Sequence, residues 1–202
     1  MKSFWMKKKS SMLNQRFADA CQYAIELHAT QKRKGTDIPY IAHLLGVTAL
    51  VLEDGGNEDE AIAALLHDAV EDQGGVKTLQ EIRQRYGEQV ANIVAGCTDA
   101  FTSPKPPWRQ RKEAYLQHLK EAGTSIRRVS LADKLHNGRS ILMDLRRDGP
   151  STLGRFNGGR DGTLWYYREL VKVFQQVESS PMVVELARVV AEIEQLAYAG
   201  SR

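Results

Sequence analysis

The segment from position 62 to position 72 places chemically active side chains at the end of an apolar run. Positions 62–66 are apolar, His67 and Asp68 follow directly, and Glu71 and Asp72 come four residues after each of them. If the segment is helical, each pair lies one turn apart on the same face. Buried unpaired charges are costly and stacked carboxylates repel each other, so a divalent cation between histidine and aspartate would compensate them. A solvated helix end carrying the same residues is the alternative.

Two more polar residues stand in apolar surroundings. His43 lies between Ala42 and Leu44, where a lone histidine is typical of a hydrogen-bonded core group. Asp133 ends an apolar stretch, and a buried aspartate in such a helix favours a ligand or a paired acid. Two imidazole nitrogens and two carboxylates form a mixed set suited to manganese, iron or zinc. The metal-ligand candidates are His43, His67, Asp68 and Asp133.

Helices must position these residues, because apolar side chains recur at three- and four-residue steps and no alternating pattern is sustained. The periodicity therefore predicts an all-α fold. Asn57 is a predicted N-cap, since three acidic residues follow it in the first turn. Glycine and proline clusters predict loops over about 102–107 and 149–162. Helices are predicted over about 13–32, 40–53, 58–71, 79–86, 88–96, 108–122, 125–146, 163–177 and 181–198.

Composition narrows the class of protein. The chain has 202 residues and a net charge of +3, which is too small to indicate nucleic-acid binding. No apolar stretch approaches the ~20 residues of a membrane span, and Cys21 and Cys97 are expected to be buried free thiols. We therefore expect a cytoplasmic protein with a flexible N-terminus over 1–12 and one domain over 13–202. It would be a monomer or homodimer without nucleic-acid or membrane partners.

The motifs resemble those of a known family. A lone histidine, a His-Asp pair some 24 residues later and a distant aspartate are similar to the HD phosphohydrolase superfamily. The flanking motifs at 28–35, 39–43, 64–72, 86–87 and 131–137 are similar, in order and spacing, to the hydrolase domain of the RelA/SpoT alarmone enzymes. The resemblance covers about residues 14–175. It implies an HD-domain bundle of about eight to ten helices, in a stand-alone small alarmone hydrolase without a synthetase domain.

The resemblance also implies roles for individual residues. It assigns one Mn²⁺ to the four ligand candidates, catalysis to Glu71 and Asp72, and an orienting role to Asn137. It implies that Arg33 and Lys34 bind the purine and phosphate and that Tyr40 lines the nucleotide site. Fixed cations are also needed to hold a pyrophosphate. The substrate-binding candidates are thus Arg33, Lys34, Tyr40, Lys134, Arg139 and Arg109.

The chain departs from the family pattern at two positions. Leu44 stands where the family usually has proline after the metal histidine, which changes a helix start more than a ligand. Asp99 stands where the family more often has lysine. Arg109 or Arg111 beyond the proline-rich loop would replace the missing cation, although a solvated polar helix is the alternative. His118 and His136 are interpreted as surface or packing histidines.

The resemblance implies a Mn²⁺-dependent pyrophosphohydrolase that removes the 3′-pyrophosphate from (p)ppGpp or a related purine alarmone, releasing GDP or GTP. A metal lowers the pKa of its water, and Glu71 and Asp72 can relay the proton. One alternative is a metal-dependent phosphohydrolase of another nucleotide: an adenine alarmone, an NADPH-type 2′-phosphate or a nucleoside monophosphate. Another is a catalytically silent alarmone-binding sensor. Arg33 and Lys34 beside Tyr40 favour the alarmone, and the presence of both acids argues against the sensor.

Overall fold

The computed structural model describes residues 13–100 and 104–199. These residues form ten α-helices and one 3₁₀ helix, and the only β-structure within the described ranges is an isolated bridge between Lys32 and Pro39. The prediction of an all-α fold of eight to ten helices is confirmed. The helices are α1 (Gln15–Leu27), α2 (Ile41–Glu53), α3 (Glu58–Leu66), α4 (Ala69–Gln73), α5 (Val76–Tyr86), α6 (Glu88–Cys97), α7 (Trp108–Glu121), α8 (Thr124–Asp148), the 3₁₀ helix (Pro150–Arg155), α9 (Gly159–Val177) and α10 (Pro181–Tyr198).

The 25-residue helix α8 lies at the centre of the bundle and packs against α2, α3, α6 and α10. Its side chains Leu131 and Leu135 are fully buried, as are Leu44 on α2 and Phe174 on α9. Burying a side chain of this size contributes about 1.5–3 kcal/mol. The segment around Asp133 is therefore held rigidly inside the core.

The start of α3 is capped as the sequence predicts. Asn57 accepts a hydrogen bond from the Glu60 amide at 3.0 Å, and the Glu60 carboxylate accepts one from the Asn57 amide at 2.9 Å. Glu60 is almost fully buried, and the Arg128 guanidinium donates to both of its oxygens at 2.8 and 2.9 Å. The ion pair between Arg128 and Glu60 joins the start of α3 to α8. It therefore holds in place, relative to each other, the two segments that carry the chemically active residues.

The predicted helix over 58–71 is wrong in one respect, because it breaks at the His-Asp pair. Helix α3 ends at Leu66 and α4 starts at Ala69. The ring Nδ1 of His67 lies 2.8 Å from the Ala64 carbonyl, the group that the Asp68 amide would use in a continuous helix. The side chain thus competes with the backbone ladder, and the break directs His67 and Asp68 towards α8.

Other boundaries also differ from the predictions. Helix α1 ends at Leu27, five residues before the predicted end, because the chain turns into the bridge between Lys32 and Pro39. The predicted loop over 149–162 contains the 3₁₀ helix and the start of α9. The last helix has the predicted bounds. Residues 1–12, predicted to be flexible, and positions 102–103 of the proline-rich loop lie outside the described residues.

Cys21 and Cys97 are free, as predicted, although both are half-buried rather than buried. Within residues 13–100 and 104–199, no helix combines the length and apolar character that crossing a membrane requires.

Candidate metal centre and adjoining cavity

Three separate segments bring the predicted ligands together. His43 comes from α2, His67 and Asp68 come from the junction of α3 and α4, and Asp133 comes from α8. The ligand atoms of His43, His67 and Asp133 all lie within 4.8 Å of one another, and the three side chains are buried. The His43 Nε2 atom is 3.2 Å from Asp133 Oδ1, and His67 Nε2 is 3.0 Å from Asp68 Oδ2.

The partner of His67 Nδ1 indicates which of its ring nitrogens is free to bind a cation. Because His67 Nδ1 faces the Ala64 carbonyl, that nitrogen carries the hydrogen, and Nε2 of the neutral ring is a lone pair. Among the described residues, neither His67 Nε2 nor His43 Nε2 has a hydrogen-bond partner although both are buried. Both atoms nevertheless face carboxylate oxygens at 3.0–3.6 Å. Lone pairs that face one another in a buried space require a positive charge between them.

The carboxylates are suited to be anionic ligands. Burial opposes ionisation of Asp133, but Lys134 and the two histidines lower its pKa well below the usual value. The pKa of Asp68 is lowered in the same way, because His67 and His43 outweigh the effect of burial. Burial likewise opposes a charge on His67, yet Asp68 and Asp133 raise its pKa well above the usual range, so His67 takes up a proton on Nε2 unless a cation lies between it and the carboxylates. The carboxylates attract positive charge to this centre, which a divalent cation would supply.

A surrounding layer of hydrogen bonds orients the two aspartates. The Tyr40 hydroxyl donates to Asp68 Oδ2 at 2.6 Å, and the Asn137 amide donates to Asp133 Oδ1 at 2.5 Å. Asn137 in turn accepts from Arg33 Nη2 at 2.6 Å. The Lys134 ammonium lies 2.5 Å from Asp133 Oδ2. The candidates Arg33, Tyr40, Lys134 and Asn137 are therefore in one connected network with the ligands.

The two candidate acids lie beside the centre. The Glu71 carboxylate lines the cavity next to the ligands and lies 2.6 Å from the Lys105 ammonium. Asp72 accepts a hydrogen bond from the Gln31 amide at 2.8 Å. Burial and the Asp99 charge raise the pKa of Glu71 above the usual value, and Lys105 opposes that rise. Burial and the Asp68 charge raise the pKa of Asp72. Carboxylates with raised pKa are suited to exchange protons near neutral pH.

A cavity of about 920 Å³ opens from His43 and Glu71 towards α7 and α9. Its volume is at the upper end of the range for small-molecule sites. Aromatic rings, among them Tyr40, Tyr166 and Tyr167, line part of the wall. Cationic side chains far outnumber acidic ones on the rest of the wall. The aromatic rings and the cations together suit an anionic ligand that contains a planar ring. The lining cations are Arg33, Lys34, Arg111, Lys112, Lys134, Arg139, Arg147 and Arg155.

The structure does not bring Arg109 into this cavity. Its guanidinium stacks 3.2 Å from the Trp165 ring centroid, and its Nε donates to Glu113 at 2.7 Å. Arg111 and Lys112 line the cavity instead, each 2.6 Å from the carboxylate of Asp99. The departure at position 99 therefore places an acid where it holds two cations, rather than removing a cation.

Sequence reasoning missed two residues of the site. Lys105 contacts Glu71 from the proline-rich loop, and its only sequence signal is a lysine between prolines. The second is His136, which the sequence indicates only as a surface or packing histidine. The His136 ring lines the cavity, and its Nδ1 lies 2.9 Å from His43 Nδ1. Its sequence signal is its position between Asp133 and Asn137. Helical periodicity alone does not show that it contacts His43.

Comparison with known proteins identifies the class of protein. The HD domain family model matches residues 20–152, a range that includes all four ligand candidates. The chain belongs to the HD-domain family, whose hydrolases bind a divalent metal. This class agrees with a helical bundle in which histidines and aspartates converge from separate helices.

Two relatives and one solved structure define the family more narrowly. The chain is 41% identical over 135 residues to guanosine-3′,5′-bis(diphosphate) 3′-pyrophosphohydrolase MESH1 of Xenopus tropicalis, which covers 65% of this chain and 70% of the relative. It is 36% identical to human MESH1 over 135 residues, with the same coverage of both chains. The chain therefore belongs to the MESH1 family of HD-domain pyrophosphohydrolases. The fold is shared with a metazoan orthologue of SpoT described as hydrolysing ppGpp, at a TM-score of 0.74 and 24% identity over 89% of this chain and 96% of that one.

Proposed function

We propose that this protein removes the 3′-pyrophosphate from (p)ppGpp or a related purine alarmone, releasing GDP or GTP and pyrophosphate. One observation carries the proposal. Two buried imidazole nitrogens without hydrogen-bond partners among the described residues face two aspartates, at the end of a cavity lined by eight cations. The relatives named for this reaction support the choice of substrate.

One Mn²⁺ is the proposed cofactor, held by His43, His67, Asp68 and Asp133. Mixed nitrogen and carboxylate ligands suit manganese, and cysteine ligands are not part of the group. When bound, the ion lowers the pKa of a water molecule and polarises a phosphoryl oxygen. Tyr40 and Asn137 keep the two aspartates oriented through their hydrogen bonds.

Glu71 and Asp72 are the proposed acid and base groups. Glu71 lines the cavity beside the ligands, where it can accept a proton from the attacking water. Lys105 holds the Glu71 carboxylate in place at 2.6 Å, and Gln31 does the same for Asp72 at 2.8 Å. The water oxygen bonds to the phosphorus next to the ribose 3′ oxygen as the bond between that phosphorus and the 3′ oxygen breaks. Asp72 can return the proton to the departing 3′ oxygen of GDP or GTP. The pyrophosphate product is an anion, which the neighbouring cations stabilise.

The remaining lining residues are proposed to bind the nucleotide. The Arg33 guanidinium lies 5.7 Å from the Tyr40 ring centroid, so both groups offer flat surfaces to a purine. Lys34 donates to Asn157 across the cavity mouth at 3.1 Å. Lys134, Arg139, Arg111 and Lys112 are the proposed phosphate contacts, whereas Arg109 is not in the cavity wall. A guanidinium stacks on any base, so Arg33 does not select guanine over adenine.

Product analysis tests the proposal. The purified chain is incubated with ppGpp in Mn²⁺ or in EDTA, and the products are separated by ion exchange and identified by ³¹P NMR. We expect GDP and pyrophosphate with Mn²⁺ and unchanged substrate in EDTA. Release of orthophosphate without pyrophosphate would indicate a phosphatase rather than a pyrophosphohydrolase. Binding of ppGpp without turnover would indicate a sensor, and either result would overturn the proposal.

A cytoplasmic location, a monomeric or homodimeric state and a single hydrolase domain over 13–202 stay predictions.

A further inference from the structure

Among the residues that the structure describes, His136 is the one histidine that contacts a candidate metal ligand without belonging to the ligand set. Its ring packs edge-on against the ring of His43, with centroids 4.8 Å apart and planes at 61°. The two Nδ1 atoms are 2.9 Å apart, which is hydrogen-bond distance. One ring must therefore donate to the other, and the direction depends on which nitrogens carry hydrogens.

The surroundings of His43 decide that direction. Its Nε2 is buried, lies 3.2 Å from Asp133 Oδ1 and makes no hydrogen bond to any described residue. An Nε2 that is to bind a cation must be a lone pair, which leaves the hydrogen of neutral His43 on Nδ1. That hydrogen then points at His136, so the His136 Nδ1 atom is the acceptor and its own hydrogen lies on Nε2.

The fold reserves space for the His136 ring. A Cβ atom on Gly46 of α2 would lie 2.3 Å from both Cδ2 and Nε2 of His136. No side chain other than hydrogen fits there unless the ring moves. Helix α2 thus contributes both the ligand His43 and, less than one turn later, Gly46, against which the His136 ring packs.

We propose that His136 is a positioning residue for the metal centre, which accepts the Nδ1 hydrogen of His43 and so presents the His43 Nε2 lone pair to the cation. The inference rests on the proposed metal site. Hydrogen-bond acceptors behind ligating histidines set the tautomer and ring orientation, and their loss typically weakens metal binding by about 10–100-fold. His136 therefore acts through His43 and need not touch the cation.

Mn²⁺ affinity measures this role directly. Free Mn²⁺ is followed by EPR while the metal-free chain is titrated, for the wild type, His136→Leu and His136→Asn. Leucine removes the acceptor, so we expect its Kd to rise about 10–100-fold. Asparagine places an amide oxygen close to the position of Nδ1, and we expect it to restore most of the affinity. The melting temperature in EDTA measures any loss of folding stability separately from the loss of Mn²⁺ affinity.

Two further variants keep the test decisive. Gly46→Ala leaves both histidines in place but displaces the His136 ring, and we expect it to weaken Mn²⁺ binding as well. His118→Ala removes an exposed histidine that contacts the Gly96 carbonyl, and its Kd should match the wild type. Equal affinity in wild type and His136→Leu would overturn the inference and leave the proposed function standing. A wild-type chain that binds no Mn²⁺ would overturn the proposed function, and the inference with it.

Discussion

Asp133 is the residue at which the contacts of the centre meet. Its Oδ1 atom faces both histidines and accepts from Asn137, and its Oδ2 atom contacts Lys134. Charges that are buried and paired lose several kcal/mol when one partner is removed. Loss of the Asp133 carboxylate is therefore expected to disrupt the metal centre more than loss of any one neighbouring side chain.

We predict that Asp133→Ala abolishes both metal content and turnover, because the anionic charge that attracts the cation is lost. Metal content is measured by mass spectrometry after dialysis, and turnover by pyrophosphate release. Asp161→Ala is the matched control, since Asp161 is exposed on α9 and pairs only with Arg160 in the described residues. A metal content near one ion per chain in Asp133→Ala would remove Asp133 from the ligand set.

Glu71 differs from Asp133 because it contacts Lys105 rather than a ligand. We predict that Glu71→Gln retains the metal and lowers kcat by roughly 10²-fold or more, the scale of a lost acid–base group. Parallel measurements of Mn²⁺ affinity and single-turnover rate separate the two effects. Glu113→Gln on the exposed face of α7 serves as the control. A rate close to wild type in Glu71→Gln would contradict the assigned role.

At the scale of elements, α7 packs against the start of α9 through Trp108, whose ring lies close to Gly158 and Gly162. A Cβ on Gly158 would lie 2.7 Å from the Trp108 ring, and one on Gly162 would lie 3.2 Å away. Trp108 opens the helix that carries Arg111 and Lys112 into the cavity. The position of these cations therefore depends on a contact that involves neither of them.

We predict that Gly158→Ala displaces the start of α7 and lowers kcat/KM, by up to roughly 10²-fold if the shift approaches 1 Å. Gly154→Ala is a matched control, because a Cβ there meets nothing within 4 Å. Mn²⁺ affinity should be unchanged in both variants, since the ligands lie on other helices. Equal kcat/KM for Gly158→Ala and Gly154→Ala would show that the contact between Trp108 and Gly158 does not position the cations.

At the scale of the whole molecule, the ligands join α2, the α3–α4 junction and α8, which lie up to 90 residues apart in the chain, from His43 to Asp133. A ligand that binds only the folded chain stabilises it by about 2.7 kcal/mol at a concentration of 100 Kd. A cation at this junction therefore links segments that the unfolded chain does not hold together.

We predict that Mn²⁺ at 100 Kd raises the melting temperature by about 5–10 °C, which corresponds to that free energy in a chain of this length. Differential scanning calorimetry with and without EDTA measures the shift. Asp133→Ala should melt at one temperature in both conditions. A wild-type melting temperature that does not respond to Mn²⁺ would argue against a site shared by these segments.

The ligand candidates could be found from local pattern, since each is a polar residue in an apolar helical stretch. The break between α3 and α4 could not, because periodicity continues through His67 and the competing bond is made by its own side chain to Ala64. Arg109 and Arg111 are also equivalent in sequence, and only their neighbours Trp165 and Asp99 separate them.

The sequence by itself determined the helical class, the N-cap at Asn57, the bounds of α10 and the identities of the four ligand candidates. The first three features depend on interactions between residues a few positions apart, which periodicity and capping rules express. Each ligand candidate is recognised as a polar residue type within an apolar stretch. Only the tertiary structure decided that His136 backs His43, that Lys105 reaches Glu71 and that Arg109 turns away from the cavity. Those outcomes depend on side-chain direction and on partners distant in the chain, which packing selects and local pattern does not encode.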